Sequence, residues 1–194
     1  MRRYRPRIPP LAKGRVLEIG IGSGLNLPYY GREVTRVFGL EPSEFLRNQA
    51  AEAGRSAPFP VELLSAGAES IPLDSRSVDT VVSTWTLCSI PDLDAALGEI
   101  RRVLRPDGRL LFFEHGRAPD ASVSRWQDRL APVFRGLAGC NPNRQIDASI
   151  TDAGFRMLVK RASGDDALAM HVGARRDVPR QHFLRLLQEA SAAV

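Results

Sequence analysis

Residues 15–24, RVLEIGIGSG, decide how the rest of the chain is read. Val16, Leu17 and Ile19 make a short buried strand, and it runs without a spacer into Gly20, Gly22 and Gly24. A strand that enters a glycine-rich turn presents backbone N–H groups and lets a ligand approach closely, because glycine places no Cβ in the way. A dinucleotide fingerprint would need a further glycine or alanine at position 25, where this chain has Leu25, so plain nicotinamide binding is disfavoured.

Outward from that turn, strand and helix patterns alternate. A short helix is expected at 25–30, a second strand at 34–40 (VTRVFGL), a helix at 43–53 capped by Ser43, and a third strand at 61–65. A fourth strand follows at 78–84 (VDTVVST). Leu93, Leu97, Ile100 and Leu104 then form one helical stripe, with Pro106 and Gly108 expected to end the helix. A fifth strand is expected at 109–114, helices at 122–137 and 144–153, and two last strands at 155–161 and 168–174. The loop between those two strands is short, so they should pair antiparallel. The expectation is an α/β protein with a Rossmann-like, doubly wound, seven-stranded sheet, mostly parallel, with one antiparallel strand near the C-terminus. That domain would span 15–176, between a basic N-terminal tail (1–14) and a C-terminal helix (177–194) presenting Phe183, Leu184 and Leu187.

With 194 residues, 43% hydrophobic and 25% charged, the composition suits one compact core. No apolar run reaches the roughly 20 residues that cross a bilayer, and the start MRRYRPRIPP lacks the apolar stretch of a secretory signal. A cytoplasmic protein without a membrane span is expected. Cys88 and Cys140 form no paired motif, and His115, His171 and His182 are far apart, which disfavours a metal site or a disulfide framework. Net charge is +5, but Arg2, Arg3, Arg5 and Arg7 crowd the start while the other cations are interspersed with acids. That is a solvated tail rather than a nucleic-acid groove.

The spacing Glu18-x-Gly20-x-Gly22-x-Gly24 resembles the first motif of class I methyltransferases that use S-adenosylmethionine (SAM). Glu41 lies 21 residues past Gly20 at the end of the second strand, where a carboxylate accepts hydrogen bonds from ribose hydroxyls. Residues 66–73 (AGAESIPL) resemble the loop that lies along the adenine, with Gly67 where the family often has Asp, so the contact falls to Ala68 and Glu69. Residues 78–82 resemble the fourth strand, whose end carries Ser83 and Thr84 under the methionine portion, and 103–108 (VLRPDG) resemble the turn before the fifth. The resemblance implies SAM as cofactor, held by Glu18, Gly20, Ile21, Gly22, Gly24, Glu41, Pro42, Ala68, Glu69, Ser83 and Thr84.

Three shorter runs, TLCSI (86–90), FEH (113–115) and GCN (139–141), resemble the type 11 small-molecule methyltransferases. That group includes the mammalian membrane-bound alkyl thiol methyltransferases, bacterial phosphatidylethanolamine N-methyltransferases and quinone C-methyltransferases. The resemblance implies methyl transfer to a small, largely apolar acceptor: a thiol, a phenol or quinone, or a lipid amine. Methyl transfer is an in-line displacement, so the protein must mainly position the acceptor and exclude water. Loops at the carboxyl ends of strands four and five should do so, through Trp85, Leu87, Cys88, Trp126, Phe134, Cys140 and Asn141. His115 is the candidate base for a thiol or phenol; the competing role is a hydrogen bond at a strand end.

Two other classes of function stay open, a SAM-binding protein without catalysis and a nucleic-acid methyltransferase, the latter favoured only by the basic charge. Class I enzymes commonly carry helices before the first strand that cover SAM. Here Pro6, Pro9 and Pro10 oppose a helix, so the lid is expected to be missing, supplied by a partner in a homodimer, or replaced by 120–143.

Overall fold

The computed structural model describes residues 5–115, 117, 120–162, 168–175 and 181, with the backbone alone described at 115, 137, 138, 158–162 and 168–175. The architecture is a Rossmann-like α/β sheet. Strands β1 (Gly14–Ile19), β2 (Val34–Leu40), β3 (Val61–Leu64), β4 (Val78–Thr84) and β5 (Leu104–His115) run parallel. Strands β6 (Phe155–Ala162) and β7 (Leu168–Arg175) complete a sheet of order β3-β2-β1-β4-β5-β7-β6, in which β7 lies antiparallel to β5 and to β6. The order reverses between β1 and β4, which leaves a crevice at their carboxyl ends, the usual ligand position of such sheets.

Alternation along each buried strand sends successive side chains to opposite faces. Leu17, Phe38, Val81 and Phe112 enter one core with Leu97 and Ile100 of α2 (Leu93–Val103) and Ile150 of α4 (Ile146–Asp152). Val16, Val37, Val82 and Phe113 enter the other, with Ile8, Ala12, Leu27 and Ala50 of α1 (Glu44–Gly54). Ser43 caps α1 as expected, its hydroxyl accepting from the N–H of Leu46.

Four expectations are corrected. The helix expected at 25–30 is a single 3-10 turn, Leu27–Tyr29, because Pro28 in its first turn has no N–H and Tyr30 is already extended. Helix α2 stops at Val103, and Leu104 pairs with Val78 as the start of β5; the Pro106 and Gly108 stretch is a bulge inside that strand, not the helix end. Helix α4 starts at Ile146 rather than 144, since Arg144 is drawn off to bond the carbonyls of Leu87 and Ile90 at 2.8 and 2.7 Å. The stretch expected as a solvated tail is folded from Arg5 onward: two 3-10 turns, Arg5–Arg7 and Pro9–Leu11, bury Ile8, Pro9 and Ala12 against the second core. Apolar Ile8 and Ala12 outweigh the arginines there because each burial removes a whole side chain from water while the guanidinium heads need not follow. The expected terminal helix, with Phe183, Leu184 and Leu187, lies outside the described residues.

Candidate functional site

At the carboxyl end of β1 the backbone passes through Gly20, Gly22 and Gly24, all left-handed. The turn glycines have different surroundings. A Cβ on Gly20 would come within 2.5 Å of the Thr86 side chain, whereas one on Gly22 would meet nothing nearer than the Gly20 carbonyl at 4.0 Å. Gly20 makes room for protein; Gly22 opens onto free space. Beside that space the buried Glu41 carboxylate, at the end of β2, accepts the Gly22 N–H at 3.2 Å and the Ser43 N–H at 3.0 Å. Arg47 holds the same corner, donating to the carbonyls of Glu41 and Pro42 at 2.8 and 2.7 Å. Ile21 packs into the core beneath, against the space that Gly39 leaves. On the far side of β2, Ala68 is buried, and Glu69 accepts the N–H of Asp92 at 3.4 Å.

Glu18 sits on the N-terminal face of the sheet, buried, with both oxygens occupied. Asn26 donates to one at 2.7 Å and the Tyr30 hydroxyl to the other at 2.7 Å. The same Asn26 amide donates to Thr84 at 3.0 Å, and its oxygen accepts from Arg5 at 2.7 Å. The Arg5 guanidinium then lies 5.4 Å from the centre of the Trp85 ring, which meets Phe113 edge-on. Burial pushes the Glu18 carboxyl up to about 7, against the opposing pull of the Tyr30 and Asn26 hydrogen bonds and the Arg5 charge. Burial, and then the neighbouring Glu18 charge, push the Tyr30 hydroxyl well up from its ordinary value. Glu18 therefore works by tying the wall of the turn to β4 and to the N-terminal segment. Arg5, Asn26 and Tyr30 escaped the sequence reading; Asn26, a lone amide in the apolar run LNL, was the available signal.

A second buried carboxylate, Glu114, occupies the opposite face. One of its oxygens accepts the N–H groups of Thr86 and Leu87 at 2.9 and 3.0 Å and the Ser83 hydroxyl at 2.9 Å. The other is buried with no partner among the described residues. Burial pushes this carboxyl up to about 7, against those backbone and hydroxyl donors. From the far side, Asn141 donates its backbone and side-chain N–H groups to the Cys88 carbonyl at 3.0 and 3.3 Å, and Arg144 takes the carbonyls of Leu87 and Ile90. Loop 85–90 is thus clamped from above and below, and its entry residue Trp85 is held at φ 55°, a costly value for a bulky side chain.

Most of the expected residues converge here, with different roles. Ser83 spends its hydroxyl on Glu114 and does not face the crevice. Leu87 and Cys88 point into the core, so the loop they form, rather than their side chains, borders the crevice. Burial pushes the Cys88 thiol up to about 12, which makes a thiolate nucleophile inaccessible near neutral pH. Cys140 and Asn141 adjoin the clamped loop. Trp126 and Phe134, on α3 (Ala121–Ala138), are 61% and 47% exposed, on the side of the helix away from buried Ser124 and Ala131. His115 ends β5, paired with Leu168, and its side chain lies outside the described residues.

Residues 17–112, covering β1 through most of β5, match the family of methyltransferase domains. The chain is 34% identical over 155 residues to human thiol S-methyltransferase TMT1A, across 77% of this chain and 63% of that protein. It is 32% identical over 127 residues to the phosphatidylethanolamine N-methyltransferase of Cereibacter sphaeroides, across 64% of this chain and 59% of the relative. The chain therefore spans about three fifths of the length of these curated relatives. Among solved structures, a SAM-dependent methyltransferase from Aquifex aeolicus superposes with a TM-score of 0.65 at 20% identity, over 88% of this chain and 92% of the other.

Proposed function

We propose, from the match of residues 17–112 to the methyltransferase domain, that the chain transfers the methyl group of SAM to a small, largely apolar acceptor: a thiol, a phenol or quinone, or a lipid amine. The observation that carries the reading is the pairing of Gly22, whose Cα faces open space, with the Glu41 carboxylate one strand away. That arrangement fits a nucleoside: the carboxylate accepts from vicinal ribose hydroxyls, and the turn leaves its backbone approachable. Ala68 and Glu69 border the adenine side, and Thr84 and Asn26 the methionine side. When bound, SAM supplies an electrophilic methyl on a sulfonium.

The residues of the chain hold and orient. Arg5 over Trp85, with the Asn26 bridge, closes the amino-terminal side of the crevice. The clamped loop 85–90 offers a fixed wall to the acceptor, so little reorganisation is needed for in-line approach. A thiol or phenol must shed its proton as the new bond to carbon forms and the bond from carbon to the sulfonium breaks. His115, at the end of β5, is the proposed receiver of that proton. The names of the thiol and phosphatidylethanolamine enzymes support an apolar acceptor.

Calorimetric titration of the purified protein with SAM, and then with its demethylated product, tests the cofactor half. A methyl-transfer assay on an alkyl thiol, a phenol, a quinone and phosphatidylethanolamine tests the other half. Binding without turnover of any of the four would refute the proposed acceptor class.

A further inference from the structure

Helix α3 carries its apolar stripe on the wrong side for a core helix. Val123, Trp126, Leu130, Val133 and Phe134 fall on one side at 100° per residue, and all are exposed, from 41% at Leu130 to 61% at Trp126. The residues it turns inward are small: Ser124 and Ala131 are buried. Helix α2 does the opposite, burying Leu93, Leu97, Ile100 and Val103. Nothing among the described residues covers that stripe.

Charge narrows what that is. Arg125 and Arg129 are exposed on the same helix, and the Arg129 guanidinium lies 5.7 Å from the Trp126 ring centre, so cation and apolar surface interleave; Arg135, on the other side of the helix, donates to Asn141 Oδ1 at 2.7 Å. The one carboxylate within α3, Asp128, is taken by Arg117 in a two-point pair at 2.6 and 2.8 Å and by Asn143 at 3.0 Å. A two-fold contact with a second copy would set the same arginines against each other with no acid on the helix left to answer them. An anionic lipid surface supplies both missing halves, acyl chains for the stripe and phosphates for the guanidinium groups. The helix also ends next to the crevice, since Gln127 donates to the Pro142 carbonyl at 3.1 Å and Asn141 is bonded to Cys88 in the clamped loop.

We propose that α3 is an interfacial helix, docking the protein on an anionic bilayer with Trp126, Leu130 and Phe134 among the acyl chains and Arg125 and Arg129 at the headgroups. The inference stands on surface geometry and does not depend on the methyl-transfer reading.

The test is co-sedimentation of the full chain with phosphatidylcholine vesicles, with and without phosphatidylglycerol. Binding to the anionic vesicles alone is expected. It should weaken about fivefold for Arg125→Gln and for Arg129→Gln, and fall away with added salt. Trp126→Glu and Phe134→Glu should each lower it by about tenfold or more, with circular dichroism and melting unchanged because both positions are exposed. A paired Leu130→Gln, Val133→Gln variant gives the same reading should either single variant fail to fold. No binding, equal binding to neutral vesicles, or binding indifferent to these substitutions would overturn the proposal. A micromolar dimer dispersed by Phe134→Glu, without vesicle binding, would give the face to a second copy. No vesicle binding, together with a blue-shifted emission component in the free protein that Trp126→Phe removes, would give it to residues 176–194.

Discussion

Gly22→Ala and Gly20→Ala separate the ligand face of the turn from its packed face. Both residues have φ near +60° (56° and 63°), so either alanine incurs the left-handed penalty of about 1–2 kcal/mol. In a domain of this size that lowers the melting temperature by roughly 2–8 °C. For Gly22→Ala this should be the whole effect on folding, because the new methyl meets no atom within 4 Å except the Gly20 carbonyl at that limit. For Gly20→Ala the methyl collides with Thr86 at 2.5 and 2.7 Å, which adds overpacking of about 1–3 kcal/mol and disturbs the loop that Glu114 holds. The effect on the cofactor should run the other way: Gly22→Ala places its methyl where SAM approaches and should raise the dissociation constant by about tenfold or more, close to 1.4 kcal/mol. Differential scanning calorimetry and titration with SAM on the two purified variants read both quantities. A Gly22→Ala protein that melts a few degrees low and binds SAM as tightly as the parent would refute the assignment of that open space to the ligand.

Glu41→Ala should weaken SAM binding by about 1.5–3 kcal/mol through loss of a charge-assisted contact, and an unchanged constant in the same titration rejects the ribose role. Glu114 is raised from an ordinary 4.5 to about 7, so between those values the folded protein holds a proton that the unfolded chain has released. Its stabilising contribution is complete below the lower value and is lost as pH rises through the upper one, by up to about 3 kcal/mol. Glu114→Gln keeps an acceptor for Thr86 and Leu87 and should flatten this part of the pH profile, leaving the similar slope from Glu18; urea melts near pH 5 and near pH 8 would show a parent-like slope if the reasoning is wrong. Arg144→Ala strands the carbonyls of Leu87 and Ile90, costs about 2–3 kcal/mol, and should raise the acceptor KM more than the SAM dissociation constant. Equal effects on the two would place Arg144 outside the acceptor wall.

What could be read from the chain follows from what is local. The strand leading into Gly20, Gly22 and Gly24, the Ser43 cap and the stripe of α2 depend on residues a few positions apart, and sequence order shows those directly. Glu41 was legible because its distance from the turn is set by one crossover in a repeated unit. The errors share a cause. Pro106 and Gly108 end helices by local rule, yet pairing of Leu104 with Val78 ended α2 first. The apolar residues of α3, Trp126 and Phe134 among them, turn outward, because an amphipathic pattern gives the period of a stripe and not which side meets the core. Arg5 was counted as surface charge because its partners Asn26 and Trp85 lie 21 and 80 positions away.

The sequence by itself determined the α/β class, the glycine turn, the carboxylate at the end of β2 and, through its motifs, the likeness to methyltransferase domains, since each is written in short-range spacing. Only the tertiary structure decided what the two buried acids do. Glu18 and Glu114 look alike in sequence, each closing a strand, and the fold sends one to each face of the sheet: Glu18 to tie Arg5, Asn26 and Tyr30 together, Glu114 to hold loop 85–90. The physical reason is that a buried carboxylate takes its role from the donors placed around it, and those donors come from segments that only folding brings within 3 Å.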